Sequence, residues 1–88
     1  MNTNSVFFDL FEVTEAKNLT IRSQLMQELE QTLNAKFKTQ TEAADYLGVT
    51  QARISNLYTG KIHLFTIDTL INWLSKLGTS IEVTIKAA

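Results

Sequence analysis

The five residues Leu47, Gly48, Val49, Thr50 and Gln51 constrain this chain more than any other stretch, because they interrupt a helical pattern that resumes immediately afterwards. Ala44, Leu47, Val49, Ile54 and Leu57 fall at helical spacings on either side of Gly48, and no strand-like alternation runs through them. Two short helices joined by a tight turn is the economical reading. The ends agree with it. Thr39 can cap the first of the pair, with Glu42 three residues on as in a capping box, and Gly48 closes it. Thr50 then caps the second, which runs to about Thr59 and is stopped by Gly60.

The flanks extend a helical chain. From about Leu19 a preceding helix is expected, because Ile21, Leu25, Met26, Leu29 and Leu33 make one apolar stripe with Gln, Glu and Arg opposite. A last helix begins at Thr66, with Asp68 favouring its positive end, and buries Ile67, Leu70, Ile71, Leu74 and Leu77 before Gly78. The tail alternates Ile81, Val83 and Ile85 against Glu82, Thr84 and Lys86, the pattern of a strand with one buried face. Val6 to Phe11 is too short and too mixed to assign; it is compatible with a strand, a turn of helix, or a segment ordered only by a partner. No repeat, linker or low-complexity segment is visible.

Length bounds what such a chain can bury. With 88 residues, 44% of them hydrophobic, one small domain is expected, and chains this short bury only about 60 to 65% of their unfolded surface. A partner subunit would add stability. There is no cysteine, so neither a disulfide framework nor a Cys-ligated zinc site is available. The N-terminus lacks the basic start and apolar run of a signal peptide, and no 18-residue apolar stretch occurs, so a soluble cytoplasmic chain with no membrane association is expected.

The net charge of -1 taken alone argues against nucleic acid, since phosphate binding normally leaves a basic footprint. The average hides a split: residues 1–45 carry seven acids against four bases, and residues 46–88 two acids against four bases. No acid lies between Asp45 and Asp68, and that gap holds Arg53, Lys61 and His63. A local positive face on an acidic protein is compatible with this order.

On a wheel of 3.6 residues per turn, the helix after the turn points Ile54 and Leu57 inward, with Tyr58 and Val49 beside them. Ala52, Ser55, Asn56 and Thr59 point outward, flanked by Gln51 and Arg53. An ordinary solvated helix face carries Glu and Lys pairs. This one carries short polar side chains, which let a helix sink into a groove and pair with base edges.

The stretch Thr39 to Lys61 resembles the helix-turn-helix of the lambda-repressor and Cro-like (Xre) family. The matching elements are Thr39-Gln40, Ala43-Ala44, Leu47-Gly48-Val49, Thr50-Gln51, Ile54-Ser55-Asn56-Leu57 and Gly60-Lys61. The rest of the chain, from the phenylalanines near the N-terminus through the long first helix to the closing Ile81–Ile85 alternation, resembles the small HigA-type antitoxins of that family. The resemblance implies a mainly α fold: a lambda-repressor-like bundle of about four to five helices with a short C-terminal β-strand. It would form one DNA-binding domain over residues 1–88, with an N-terminal segment at 1–18, a helical core at 19–78 and a terminal strand at 80–86.

Residue by residue, the resemblance implies that Gln51 and Asn56 read base edges, where an amide can pair bidentately with adenine, and that Ala52 faces a base. Gln40 would contact a phosphate and brace Gln51; Thr50 and Thr59 match phosphate contacts, and Lys61 lies where the loop nears the backbone. Ser55 stands on the same outer face. Arg53 suits a phosphate from its flank position, and a swing of its side chain reaches toward a guanine. Few cations can reach DNA from one protomer, so affinity is expected to depend on dimerisation.

A lone terminal strand must find a neighbour, so residues 80–86 pair either with the N-terminal segment or with a twin across a twofold axis. The second option also covers the last helix around Trp73 and Leu77, and predicts a homodimer interface of Trp73, Leu77, Ile81, Val83 and Ile85. Val6, Phe7, Phe8, Leu10 and Phe11 have two readings: a surface for a basic toxin, given the acidic first half, or part of the domain's own core. The expected partners are therefore an inverted-repeat operator in double-stranded DNA, a RelE-like toxin and a second copy of the chain. A stand-alone or phage-type repressor is the alternative, and a protein-interaction module without DNA binding is a third.

Enzymatic readings find nothing to rest on. His63 is the sole histidine, with no second ligand or nucleophile partner nearby in sequence, and no phosphate loop, triad or paired acids are visible. Glu28 and Glu30 read as the solvated face of the first helix, and Trp73 and Tyr58 as packing residues, with Trp73 beside the main stripe of the last helix and so partly exposed. No metal and no cofactor are expected.

Overall fold

The computed structural model describes the backbone of residues 3–82 and 84, and the side chains of residues 15–82 and 84. Four α-helices follow in order, α1 (Thr3–Lys36), α2 (Gln40–Leu47), α3 (Gln51–Tyr58) and α4 (Ile67–Lys76), with a 3₁₀ turn at Ile62–Leu64 between the last two.

The long helix begins well before Leu19. With no glycine or proline before Gly48, nothing in the sequence breaks a helix between Thr3 and Lys36, so the mixed N-terminal segment joins the amphipathic one in a single 34-residue helix. Such a helix is about 51 Å long, which accounts for the 53 Å longest dimension of a molecule only 23 and 17 Å across its other axes. Its C-terminal half packs: Met26, Leu29 and Leu33 are buried and Leu25 lies against them, while Ile21, expected in the same stripe, is exposed. Residues 15–21 are exposed apart from half-buried Asn18.

The core is one cluster in which α1 contributes Met26, Leu29 and Leu33, α2 contributes Ala43, Ala44 and Leu47, and α3 contributes Ile54 and Leu57. Phe65, Leu70, Trp73, Leu74 and Leu77 complete it. Trp73 is 4% exposed and Leu77 2%. The face of α4 that the sequence reading reserved for a twin is therefore already covered by the protomer itself. Trp73 packs edge-on against Phe65, with ring centroids 5.7 Å apart and planes at 81°, a favourable arrangement for two aromatic quadrupoles. Ile67 and Ile71, expected inside, are only half-buried.

No strand forms among the described residues of the tail. Ile81 packs partly against the core, while Val83 and Ile85 lie outside the described residues. Of the two expected pairing partners, the N-terminal segment is helical and a twin lies outside a single protomer, and an unpaired strand in water leaves its backbone groups with no gain over hydration.

Candidate nucleic-acid interface

The turn between α2 and α3 is built from backbone geometry that only a few residue types tolerate. Gly48 has φ 71° and ψ 33°. Its N–H reaches the Asp45 carbonyl at 3.3 Å, and Val49 N–H reaches that of Ala44 at 3.0 Å. This paired pattern is a Schellman closure, in which the left-handed residue costs a side chain roughly 1 to 2 kcal/mol and glycine nothing. Val49 follows in contact with the core, and Thr50 opens α3 from extended backbone, its Oγ1 accepting the Arg53 N–H at 3.1 Å. At the start of α2 the Thr39 Oγ1 accepts the Glu42 N–H at 3.2 Å, and the Glu42 carboxylate accepts from Lys38 N–H at 3.2 Å, one residue ahead of the usual box partner. The far end of α3 closes on Gly60, φ 71°, with Lys61 N–H on the Asn56 carbonyl at 3.1 Å.

These ends leave α3 with a divided surface. Ile54 and Leu57 are buried, Gln51, Ala52 and Thr59 are exposed, and Ser55, Asn56 and Arg53 are half-buried. Ala43 and Ala44, both buried, present methyl groups only and let α2 lie close to its neighbours. Of the remaining expected contacts, Gln40 is half-buried as the first residue of α2, and Lys61 is exposed just beyond Gly60.

Two expected contacts are occupied within the protein. Thr59 Oγ1 donates to the Ser55 carbonyl at 2.9 Å. Arg53 turns away from the exposed face: its Nη1 donates to the Leu64 carbonyl at 2.6 Å, and its guanidinium carbon lies 4.2 Å from the Phe65 ring centroid and 5.8 Å from that of Trp73. Both separations are within cation–π reach.

Other side chains hold the frame around α3. Arg22 on α1 donates through Nη1 to the carbonyls of Ile62 and Phe65, each at 3.3 Å, and through Nε to Asn18 Oδ1 at 2.7 Å. Tyr58 donates to Asn34 Oδ1 at 3.0 Å. Burial, with the nearby charge of Glu30 added, pushes the Tyr58 phenol above its ordinary value. At the end of α4, Lys36 Nζ donates to the Leu77 carbonyl and Tyr46 to that of Lys76 at 3.0 Å, so two of the carbonyls a helix terminus leaves open have side-chain partners. Arg22, Asn34 and Phe65 escaped the sequence reading. Arg22 and Asn34 lie on α1, whose polar side resembles any solvated helix, and Phe65 sits in a loop without periodicity, so no local signal marks them.

The described residues contain no group of three His, Cys, Asp or Glu side chains placed to hold a metal ion, and no helix among them is long and apolar enough to cross a membrane. A family model described as a helix-turn-helix domain matches residues 6–86. No curated protein matches the chain.

Proposed function

The chain belongs to the helix-turn-helix domain family, a DNA-binding fold, and on that premise we propose that it is an antitoxin. In this reading a homodimer binds an inverted repeat upstream of its own gene, represses its operon, and neutralises a small RelE-like toxin. The observation that carries the DNA half is the surface of α3: a short helix capped at both ends, with two buried apolar residues and an outer side of Gln51, Ala52, Ser55 and Asn56 that bears no charge. A helix of that kind fits a major groove, Gln51 and Asn56 pairing with base edges while Gln40, Thr50 and Lys61 lie toward the backbone and Thr59 donates its hydroxyl hydrogen to the Ser55 carbonyl. The lack of any acid between Asp45 and Asp68 leaves α3 and the loop after it without a charge that phosphate would repel.

The toxin half is supported by the acid excess of residues 1–45 and by the continuity of α1. Phe7, Leu10 and Phe11 stand at the i, i+3, i+4 spacing that shares one side of a helix, and Val6 and Phe8 adjoin them. Dimerisation through the tail residues Ile81, Val83 and Ile85 would bring two α3 helices to half-sites about 34 Å apart.

The test is a mobility-shift titration of the upstream fragment with the full chain, followed by co-purification with the product of the adjacent gene. Sequence-specific retention together with a stable complex supports the reading, and deleting residues 1–12 is expected to abolish that complex while sparing DNA binding. Specific retention with no toxin gene alongside leaves a stand-alone repressor, and no retention on any duplex leaves a protein-interaction module. Sedimentation of the chain beside a Val83→Lys variant tests the dimer: a monomeric wild type, or a variant that dimerises unchanged, removes it.

A further inference from the structure

Arg53 carries a charge that suggests a phosphate contact, yet its side chain is held within the protein. Arg53 is tied at both ends: its backbone N–H is held by the Thr50 cap, and its guanidinium by the Leu64 carbonyl eleven residues later. Beneath the guanidinium lie Phe65 and Trp73, 1% and 4% exposed and packed edge to face. Swinging the side chain out to a phosphate would break a 2.6 Å charge-assisted hydrogen bond and lift the cation off two aromatic rings.

We propose that Arg53 is a positioning residue: it anchors the first turn of α3 to the Phe65–Trp73 pair and the Leu64 carbonyl, and so sets where Gln51 and Asn56 stand, without itself touching a phosphate or a guanine. This rests on the DNA-binding reading for its functional half, while the anchoring stands on geometry alone. The guanidinium is suited to the task because its flat face covers a ring while its edge donates; an ammonium has the charge but no plane to stack.

The experiment compares wild type with Arg53→Lys and Arg53→Met in the full chain. Trp73 is the only tryptophan, so its emission reports on the ring that Arg53 covers. DNA binding is measured as a function of salt on a duplex that the wild type has selected from a random-sequence pool, and on random duplex. Both variants are expected to shift the Trp73 emission and lower the melting temperature, and to lose roughly tenfold in preference for the selected duplex, while the slope of log K against log salt stays unchanged. Two results would overturn the proposal: emission unchanged in both variants, or a salt slope that falls by about one in Arg53→Met and is kept in Arg53→Lys, the mark of a phosphate contact. If the wild type selects no duplex, the DNA-binding reading falls and takes the register role with it, while emission and melting still decide the anchoring. Should Arg53→Met fail to fold, Arg53→Lys alone separates the two roles, since a phosphate contact would largely survive in it.

Discussion

Helices α3 and α4 share a plan at their ends and differ along their length. Each opens on a threonine whose Oγ1 accepts a first-turn N–H, from Arg53 in one and Thr69 in the other, and each is followed by a glycine at positive φ. Between those ends α4 buries Leu70, Trp73 and Leu74, with Leu77 directly after, whereas α3 buries only Ile54 and Leu57. Burial of a large apolar side chain is worth roughly 1.5 to 3 kcal/mol, so α4 is held by what its inner face removes from water. Both helices are too short to be stable alone, and α3 has only Ile54 and Leu57 to pack where α4 has four large side chains. Helix α3 is therefore fixed at its rim as well, by the Thr50 cap, the Arg53 anchor, the Tyr58–Asn34 bond and the Gly60 closure. The difference teaches that an element that must offer a polar face to a partner has to be held by its ends and flanks.

The comparison can be broken in several ways. The largest effect is expected from Leu70→Ala, which opens a cavity under α4 and should cost roughly 2 to 5 kcal/mol in denaturant unfolding with the slope unchanged. A cost below about 1 kcal/mol would mean that α4 does not carry the core. Gln51→Ala should leave stability where it is and cost roughly 1 to 3 kcal/mol of preference for the selected duplex in competition binding. Equal losses on selected and random DNA would remove Gln51 from base readout.

The two threonine caps sharpen the contrast at about 1 kcal/mol each. Thr50→Ala is expected to loosen α3 locally, seen as faster amide exchange confined to that helix, because few other contacts hold it there. Thr66→Ala should lower global stability without a local opening, since the packed face of α4 keeps its first turn in place. Identical exchange patterns in the two variants would erase the distinction between a helix held by its rim and one held by its core.

The smallest effect is confined to alkaline pH. Because burial, and then Glu30, raise the Tyr58 phenol above 10.0, the folded state favours its neutral form. That contribution to stability is fully present below the unfolded value and is lost as pH rises through the folded one. Tyr58→Phe should therefore flatten the decline in stability above about pH 10. A variant that declines as steeply as wild type would show that burial of the Tyr58 phenol contributes nothing to the alkaline loss of stability.

The middle of the chain is more legible than its two ends. Helix ends were readable residue by residue, because caps and glycine closures are local chemistry: Thr39, Gly48, Thr50, Gly60 and Thr66 each stand where the sequence places them. The beginning of α1 was misread because apolar periodicity fades before Leu19, although the absence of any glycine or proline already permitted the longer helix. The tail was misread for another reason. Alternation describes a strand's side chains, but a strand exists only where another backbone accepts its hydrogen bonds.

By itself the sequence determined the α2–turn–α3 unit, its boundaries, and the uncharged character of the outer side of α3, since capping, glycine conformation and helical period act over three or four residues. Only the tertiary structure decided where three side chains went. Trp73, whose spacing from Leu70 and Leu77 puts it beside the apolar stripe of α4, closes the protomer's own core against Phe65. Arg22 reaches forty residues along the chain to hold the 3₁₀ turn. Arg53, at the flank of the outer face by its period, lies over the Phe65 ring. The physical reason is common to all three: a long side chain takes its position from whichever ring or carbonyl the fold brings within reach, and that partner lies far away in sequence.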